Sequence, residues 1–149
     1  MRMTLILILA FVVLATAALA LYARTYQMRA EVWHVDPAEV VDPPAGNSVL
    51  LRGDDAPRLD GTPAEVAARL DAVAEAEGAT RLAGDPAEGH VTYVVRSRIF
   101  GYPDAVTIRL HEVPDDGTTR VDIFSRSAIG ESDFGVNAAR VSRWIDAAS

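Results

Sequence analysis

The chain has 149 residues, with 14 basic side chains against 21 acidic ones and no cysteine or lysine. From Glu31 onward, 11 arginines face all 21 acidic residues and leave that part at −10, a charge that repels nucleic acid and anionic lipid. The missing cysteine excludes disulfides, thiolate nucleophiles, Cys-ligated metals and lipidation on Cys, and what remains beyond a leading apolar stretch suffices for one domain and not two.

Residues Leu5 to Ala23 are an unbroken apolar run, with Arg2 before it and Arg24 and Arg29 after it. Roughly 20 such residues, at about 1.5 Å each, let a helix cross a ~30 Å hydrocarbon core with its backbone bonded internally. Ala15-Thr16-Ala17 and Ala18-Leu19-Ala20 also offer the small-x-small pattern of a signal peptidase site. The length of the run favours an anchor, and Tyr26 and Trp33 follow at interface depth. Residues 1–30 are therefore read as a single-pass anchor, with the membrane as a partner through residues 5–23. The expected location is the inner (cytoplasmic) membrane, with a short inside N-terminus and the domain on the periplasmic side.

Residues 31–57 carry Pro37, Pro43, Pro44 and Pro57 with Gly46 and Gly53, a composition that breaks helices and predicts a connector. A brief strand over Val49 to Arg52 fits within it. The α+β domain is expected over residues 58–149. Thr62-Pro63-Ala64-Glu65 is a capping box with proline at the first helical position. Val66, Ala67, Leu70, Val73 and Ala74 then make one apolar stripe, and Gly78 ends the helix.

After Gly78 the period becomes two, predicting strands over Thr80 to Ala83, His90 to Arg98, Ala105 to Val113 and Thr118 to Ser127. Pro114-Asp115-Asp116-Gly117 turns the last two into a hairpin. Placing Val113 opposite Thr118 sets Ile108 against Ile123 and Leu110 against Val121 on one side, and Arg109 against Asp122 on the other. Tyr93 and Val95 join the apolar side. Asp133 is placed to cap a final helix with Phe134, Asn137, Val141, Trp144, Ile145 and Ala148 inward. The fold class is thus α+β: a transmembrane helix, then an antiparallel sheet of about four strands covered on one face by two helices.

The opposite face gathers Arg96, Arg98, Arg109 and Arg126 among Thr92, Thr107 and Asp122, a basic patch on an acidic body. It invites an anionic ligand, unless Arg109 pairs with Asp122, and Arg126 and Arg98 pair with Asp104 and Asp133. The strand-end loops 99–104 and 129–135 set Phe100, Tyr102 and Phe134 beside Gly and Asp, either as contacts for a partner or as plugs at the sheet end. The candidate binding residues are Arg96, Arg98, Phe100, Tyr102, Asp104, Arg126, Asp133 and Asn137.

Arg96-Ser97-Arg98, Phe100-Gly101-Tyr102-Pro103-Asp104, Ser125-Arg126-Ser127, Gly130, Ser132-Asp133, Gly135-Val136-Asn137 and Arg140 together resemble the uncharacterised bacterial and plastid family called domain of unknown function 1499. The resemblance spans Asn47 to Ile145. The family's Ser-Arg-Ser-Arg run ends here in Ala128, so no two guanidinium groups adjoin there. The resemblance implies a domain that commonly follows a membrane or export segment, and it implies no substrate.

His34, His90 and His111 lack metal-ligand spacing, and there is no Gly-x-Ser-x-Gly elbow or phosphate-binding glycine loop. Asp54-Asp55 and Asp115-Asp116 fall in a connector and a turn, where carboxylates are solvated. No metal or cofactor is expected. The leading expectation is a membrane-anchored envelope protein that binds an anionic ligand or an envelope protein without catalysis. A small hydrolase or isomerase acting through Asp104 or Asp133, and a purely structural protein, are the alternatives.

Overall fold

A computed structural model describes residues 1–149. Helix α1 (Arg2–Thr25) runs unbroken for 24 residues, about 36 Å at 1.5 Å per residue. It is long and apolar enough to cross a membrane, a property that a signal sequence near an N-terminus shares. Its one buried residue is Ala23, where the helix meets the domain.

A single turn, α2 (Ala30–Trp33), and a 3-10 turn at Pro37–Glu39 follow. Then come β1 (Ser48–Leu51), β2 (Arg58–Asp60), α3 (Pro63–Ala76), β3 (Thr80–Asp85), β4 (His90–Arg96), β5 (Pro103–Val113), β6 (Thr118–Ser127) and α4 (Val136–Ala148). The sheet has six strands in the order β1-β6-β5-β4-β3, with β2 also paired to β6. All pairings are antiparallel.

The expected count of about four strands is therefore low by two. Both additional strands edge β6, where Leu50 faces Phe124 and Leu59 faces Thr119. β1 is the brief strand expected over Val49 to Arg52, set one residue earlier, whereas β2 has only three residues, too few to display a period of two. The central hairpin has the expected register, with Ile108 opposite Ile123, Leu110 opposite Val121 and Arg109 opposite Asp122.

Helices α3 and α4 cover the face that carries Tyr93, Val95, Val106, Ile108, Val121 and Ile123. Burying each large apolar side chain contributes about 1.5–3 kcal/mol, so this layer holds the domain together. Thr62 and Glu65 form the expected capping box, with the Thr62 N–H donating to Glu65 Oε2 at 2.8 Å. Trp144 of α4 meets the Tyr93 ring edge-on at 5.9 Å, and Tyr93 Oη donates to Asp71 at 2.6 Å.

Helix α4 begins at Val136 with Gly135 as its N-cap, and Phe134 does not join the inner stripe. Phe134 is 96% exposed and holds φ at +53°, unlike every other non-glycine residue in the chain. Phe134 lies two residues before the first helical residue, so it is not on the helix whose periodicity defines the stripe. Asn137, Val141, Trp144 and Ala148 are buried as expected.

The opposite face of the sheet is covered too. The segment from Ala30 to about Pro44 crosses it as a strap. Arg52 Nη1 donates to the carbonyls of Pro37, Ala38 and Val40 at 3.0, 2.9 and 2.8 Å, fixing the strap's middle. The His34 and His90 rings stack at 4.0 Å, and a Cβ at Gly84 would collide with the His90 carbonyl and the His34 ring. The segment read as a connector over residues 31–57 thus packs on the domain.

Candidate functional site

Alternation along β6 puts Phe124 and Arg126 on the strap-covered face, and the strap closes over them. Arg126 is 6% exposed. Its guanidinium stacks over the Phe124 ring at 4.2 Å and the Trp33 ring at 4.9 Å. Nη2 donates to the Trp33 carbonyl at 2.8 Å, while Nη1 is buried with no partner. No carboxylate pairs with it. Burial lowers its pKa to about 10, which still leaves it protonated at neutral pH.

A buried, unpaired charge costs several kcal/mol, and an anion placed against it would offset that cost. The space for one is present. A pocket of about 440 Å³ lies against Arg126, walled by Val32, Trp33, Val40 and Phe124, with the exposed carboxylates of Glu39 and Asp42 on its lining. A cation at the base and carboxylates at the rim suit a small molecule with an anionic group at one end and hydrogen-bond donors at the other.

The strap is held by a hydrogen-bond chain. Thr107 Oγ1 donates to the Trp33 carbonyl at 3.3 Å, which leaves Thr92 to donate to Thr107 at 2.9 Å and His34 Nδ1–H to donate to Thr92 at 2.8 Å. The tautomer of His34 follows from that direction.

The other candidate residues divide between two places. Asp104, Asp133 and Asn137 come together beneath the start of α4, and the residue that joins them is Arg140. Its Nη2 donates to Asp104 Oδ2 at 2.7 Å and its Nη1 to Asn137 Oδ1 at 2.6 Å, all three residues being buried. Asn137 Nδ2 donates to Asp133 Oδ2 at 2.8 Å, to Ser127 Oγ at 3.1 Å and to the Asn47 carbonyl at 3.2 Å. Arg140 lies three residues after Asn137 on the same buried stripe, and an arginine at an inward position was the available signal for it.

Asp133 accepts the N–H groups of Gly135 and Asn137 at 2.9 and 2.8 Å. Burial alone would raise its pKa, and those N–H groups with the Asn137 amide lower it instead. A carboxylate so held is a capping group, with no proton to give near neutrality.

Arg126 is not part of this cluster. Ala105 is its partner across the hairpin, so Asp104, one residue away, projects from the other face. The expected pairs of Arg126 and Arg98 with Asp104 and Asp133 do not form. The carboxylate of Asp122 takes Arg120 at 2.9 Å and lies 3.2 Å from His111, while Arg109 stands 3.8 Å from Asp36.

Arg96 holds the end of helix α1. It donates to the carbonyls of Ala23 at 2.8 Å, Tyr26 at 2.8 Å and Gly101 at 3.1 Å, and Arg24 donates back to the Ile99 carbonyl at 2.6 Å. Arg98 is exposed. The Phe100 and Tyr102 rings lie 6.0 Å apart at 52° on the wall of a second cleft.

Among solved structures the chain is similar to the adenylate sensor from AMP-activated protein kinase, solved in complex with 5-aminoimidazole-4-carboxamide 1-beta-D-ribofuranotide. The likeness has 14% identity and a TM-score of 0.47, covering 64% of this chain and 100% of that one. No curated protein matches it in sequence. A family model matches residues 30–147, taking in the strap that the resemblance from Asn47 left out. Both the strap-covered Arg126 and the Asp104–Arg140–Asn137 cluster fall inside that span, and the chain belongs to the family described as protein of unknown function (DUF1499).

Proposed function

We propose that this protein is a membrane-anchored ligand-binding module that works without catalysis and holds its ligand between the strap and the sheet. The observation that carries the reading is Arg126, a buried guanidinium with one nitrogen unpartnered beside a pocket of about 440 Å³. The ligand presents a carboxylate or phosphate to Arg126 and an amine or hydroxyl to Glu39 and Asp42. The helix Arg2–Thr25 supports anchoring by its length and apolarity. The domain is read on the outer side of the cytoplasmic membrane, where small envelope metabolites or an acidic peptide end would reach the strap.

The test uses the full chain in nonionic detergent micelles, titrated calorimetrically with inorganic phosphate, acetate and glycine. At least one of these binds the wild type and raises its melting temperature by mass action, and Arg126→Gln loses that binding while still unfolding cooperatively. Equal binding by Arg126→Gln, or none by any probe, overturns the reading. Protease protection of whole cells reads the side on which the domain lies.

A further inference from the structure

A second cleft of about 580 Å³ opens where the anchor helix meets the strand-end loops, and the helix itself supplies part of its wall through Leu19. Phe100 and Tyr102 line it from the β4–β5 loop, and Ile129, Phe134 and Val136 from the β6–α4 loop. The polar side is formed by Asp104, Ser127 and Asp133. We propose that this cleft binds a membrane lipid drawn from the surrounding leaflet, its tail against the aromatic wall and a hydroxyl or ammonium headgroup at Asp104.

Depth is the first argument, and it rests on the reading of α1 as a membrane span. The apolar run ends at Ala23, which the Arg96 and Arg24 bonds tie to the β4–β5 loop. Leu19 lies four residues further in, about 6 Å at 1.5 Å per residue. Loops that share a cleft with Leu19 therefore sit at the boundary between headgroups and acyl chains. A cleft at that level opens onto lipid and not onto bulk water.

Composition is the second argument. Phe134 is 96% exposed and Ile99 72% exposed, with Phe100 and Val136 beside them, a concentration of apolar surface that a water-facing loop on an acidic domain does not need. The left-handed φ of Phe134 is unfavourable for a side-chain-bearing residue, a cost offset when the ring is buried in the interface. A volume of about 580 Å³ lies within the roughly 300–1,000 Å³ range of ligand sites.

The polar side selects the headgroup. Asp104 gives Oδ2 to Arg140, and its other oxygen remains for a donor from the cleft. With Asp133 alongside and one arginine between them, this side carries net negative charge. It favours an ammonium or hydroxyl over a bare phosphate.

The experiment places the full chain in vesicles of phosphatidylethanolamine and phosphatidylglycerol and compares Phe134→Trp with wild type. The added tryptophan emits to the blue and is quenched by lipids brominated near the carbonyl region, but not by aqueous iodide. After detergent extraction, native mass spectrometry of the wild type finds retained phosphatidylethanolamine in preference to phosphatidylglycerol, and Val136→Trp, which crowds the cleft, loses it. A water-exposed emission at position 134, or retention unchanged by Val136→Trp, overturns the lipid site. Release of the chain by alkaline carbonate would overturn the anchoring beneath it, and the two failures are told apart by whether the chain stays with the membrane.

Discussion

Arg140 and Asp104 form a salt bridge with both side chains less than a tenth exposed and a 2.7 Å contact. Removing one member of such a pair leaves a buried charge, and the loss is about 3–5 kcal/mol. Arg140→Met should therefore lower the unfolding free energy, read from urea denaturation of the full chain in micelles, by that amount. The double variant Arg140→Met with Asp104→Leu removes both charges and should recover part of the loss, because a pair replaced whole by apolar groups is often near neutral. If the double variant is as unstable as the sum of the two singles, the pair does not act as a unit. Arg126 differs in kind: it is buried without a carboxylate, so the fold bears a cost at that residue that packing alone does not require.

At the scale of elements, the strap depends on histidine protonation. His90 has its pKa lowered from 6.5 by burial first, then by His34 stacked on it and by Arg109, against Asp36 and a ring N–H bond to the Val35 carbonyl, which raise it. A group lowered on folding takes up its proton more readily in the released state. The strap is fully held above pH 6.5 and loses stability as pH falls through that value toward the folded pKa. Protection factors against hydrogen exchange at the Trp33 and His34 amides, bonded to Arg29 and Ala30, should fall between about pH 7 and about pH 5, and His90→Gln should flatten the change. An unchanged profile in His90→Gln would assign the effect elsewhere.

The strap also marks the limit of what the sequence discloses. The β5–β6 register was legible because apolar pairs and an opposite-charge pair agree on it, and α3 because its capping box and stripe coincide. The strap has neither period nor caps beyond Asp36, and what holds it is remote: Arg52, Thr92, Thr107 and Arg126 are 12 to 93 positions from their partners. Bonds of that range leave no local pattern. Of the candidate residues, Asp104, Asp133 and Asn137 do meet, through Arg140, whereas Arg126 belongs to another site because strand parity separates it from Asp104. Arg96 carries the charge expected of a ligand site and directs it at the end of helix α1.

That use of Arg96 decides how the molecule is arranged as a whole. The last four carbonyls of a helix have no partner within it and carry partial negative charge, and Arg96 takes that of Ala23 and the carbonyl of the C-cap Tyr26, while Arg24 grips the Ile99 carbonyl. Gly101 lets the backbone approach: its φ is +77°, and a Cβ there would collide with the Arg24 side chain. Hydrogen bonds from a charged donor are worth about 1.5–3 kcal/mol each when desolvated, but Arg96 is exposed, so a total near 1–2 kcal/mol is the realistic scale. Each 1.4 kcal/mol is tenfold in a population. Arg96→Ala should therefore leave the domain's own unfolding almost unchanged, since Arg96 lies outside the core, yet raise the undocked fraction about tenfold. Trypsin cutting after Arg29 in vesicle-bound protein should quicken accordingly, and Arg96→Lys, with one charged donor in place of two, should fall between. An equal cutting rate in all three would mean that the helix and the domain are joined by their backbone alone, and the cleft that Leu19 shares with Phe134 would then exist only intermittently.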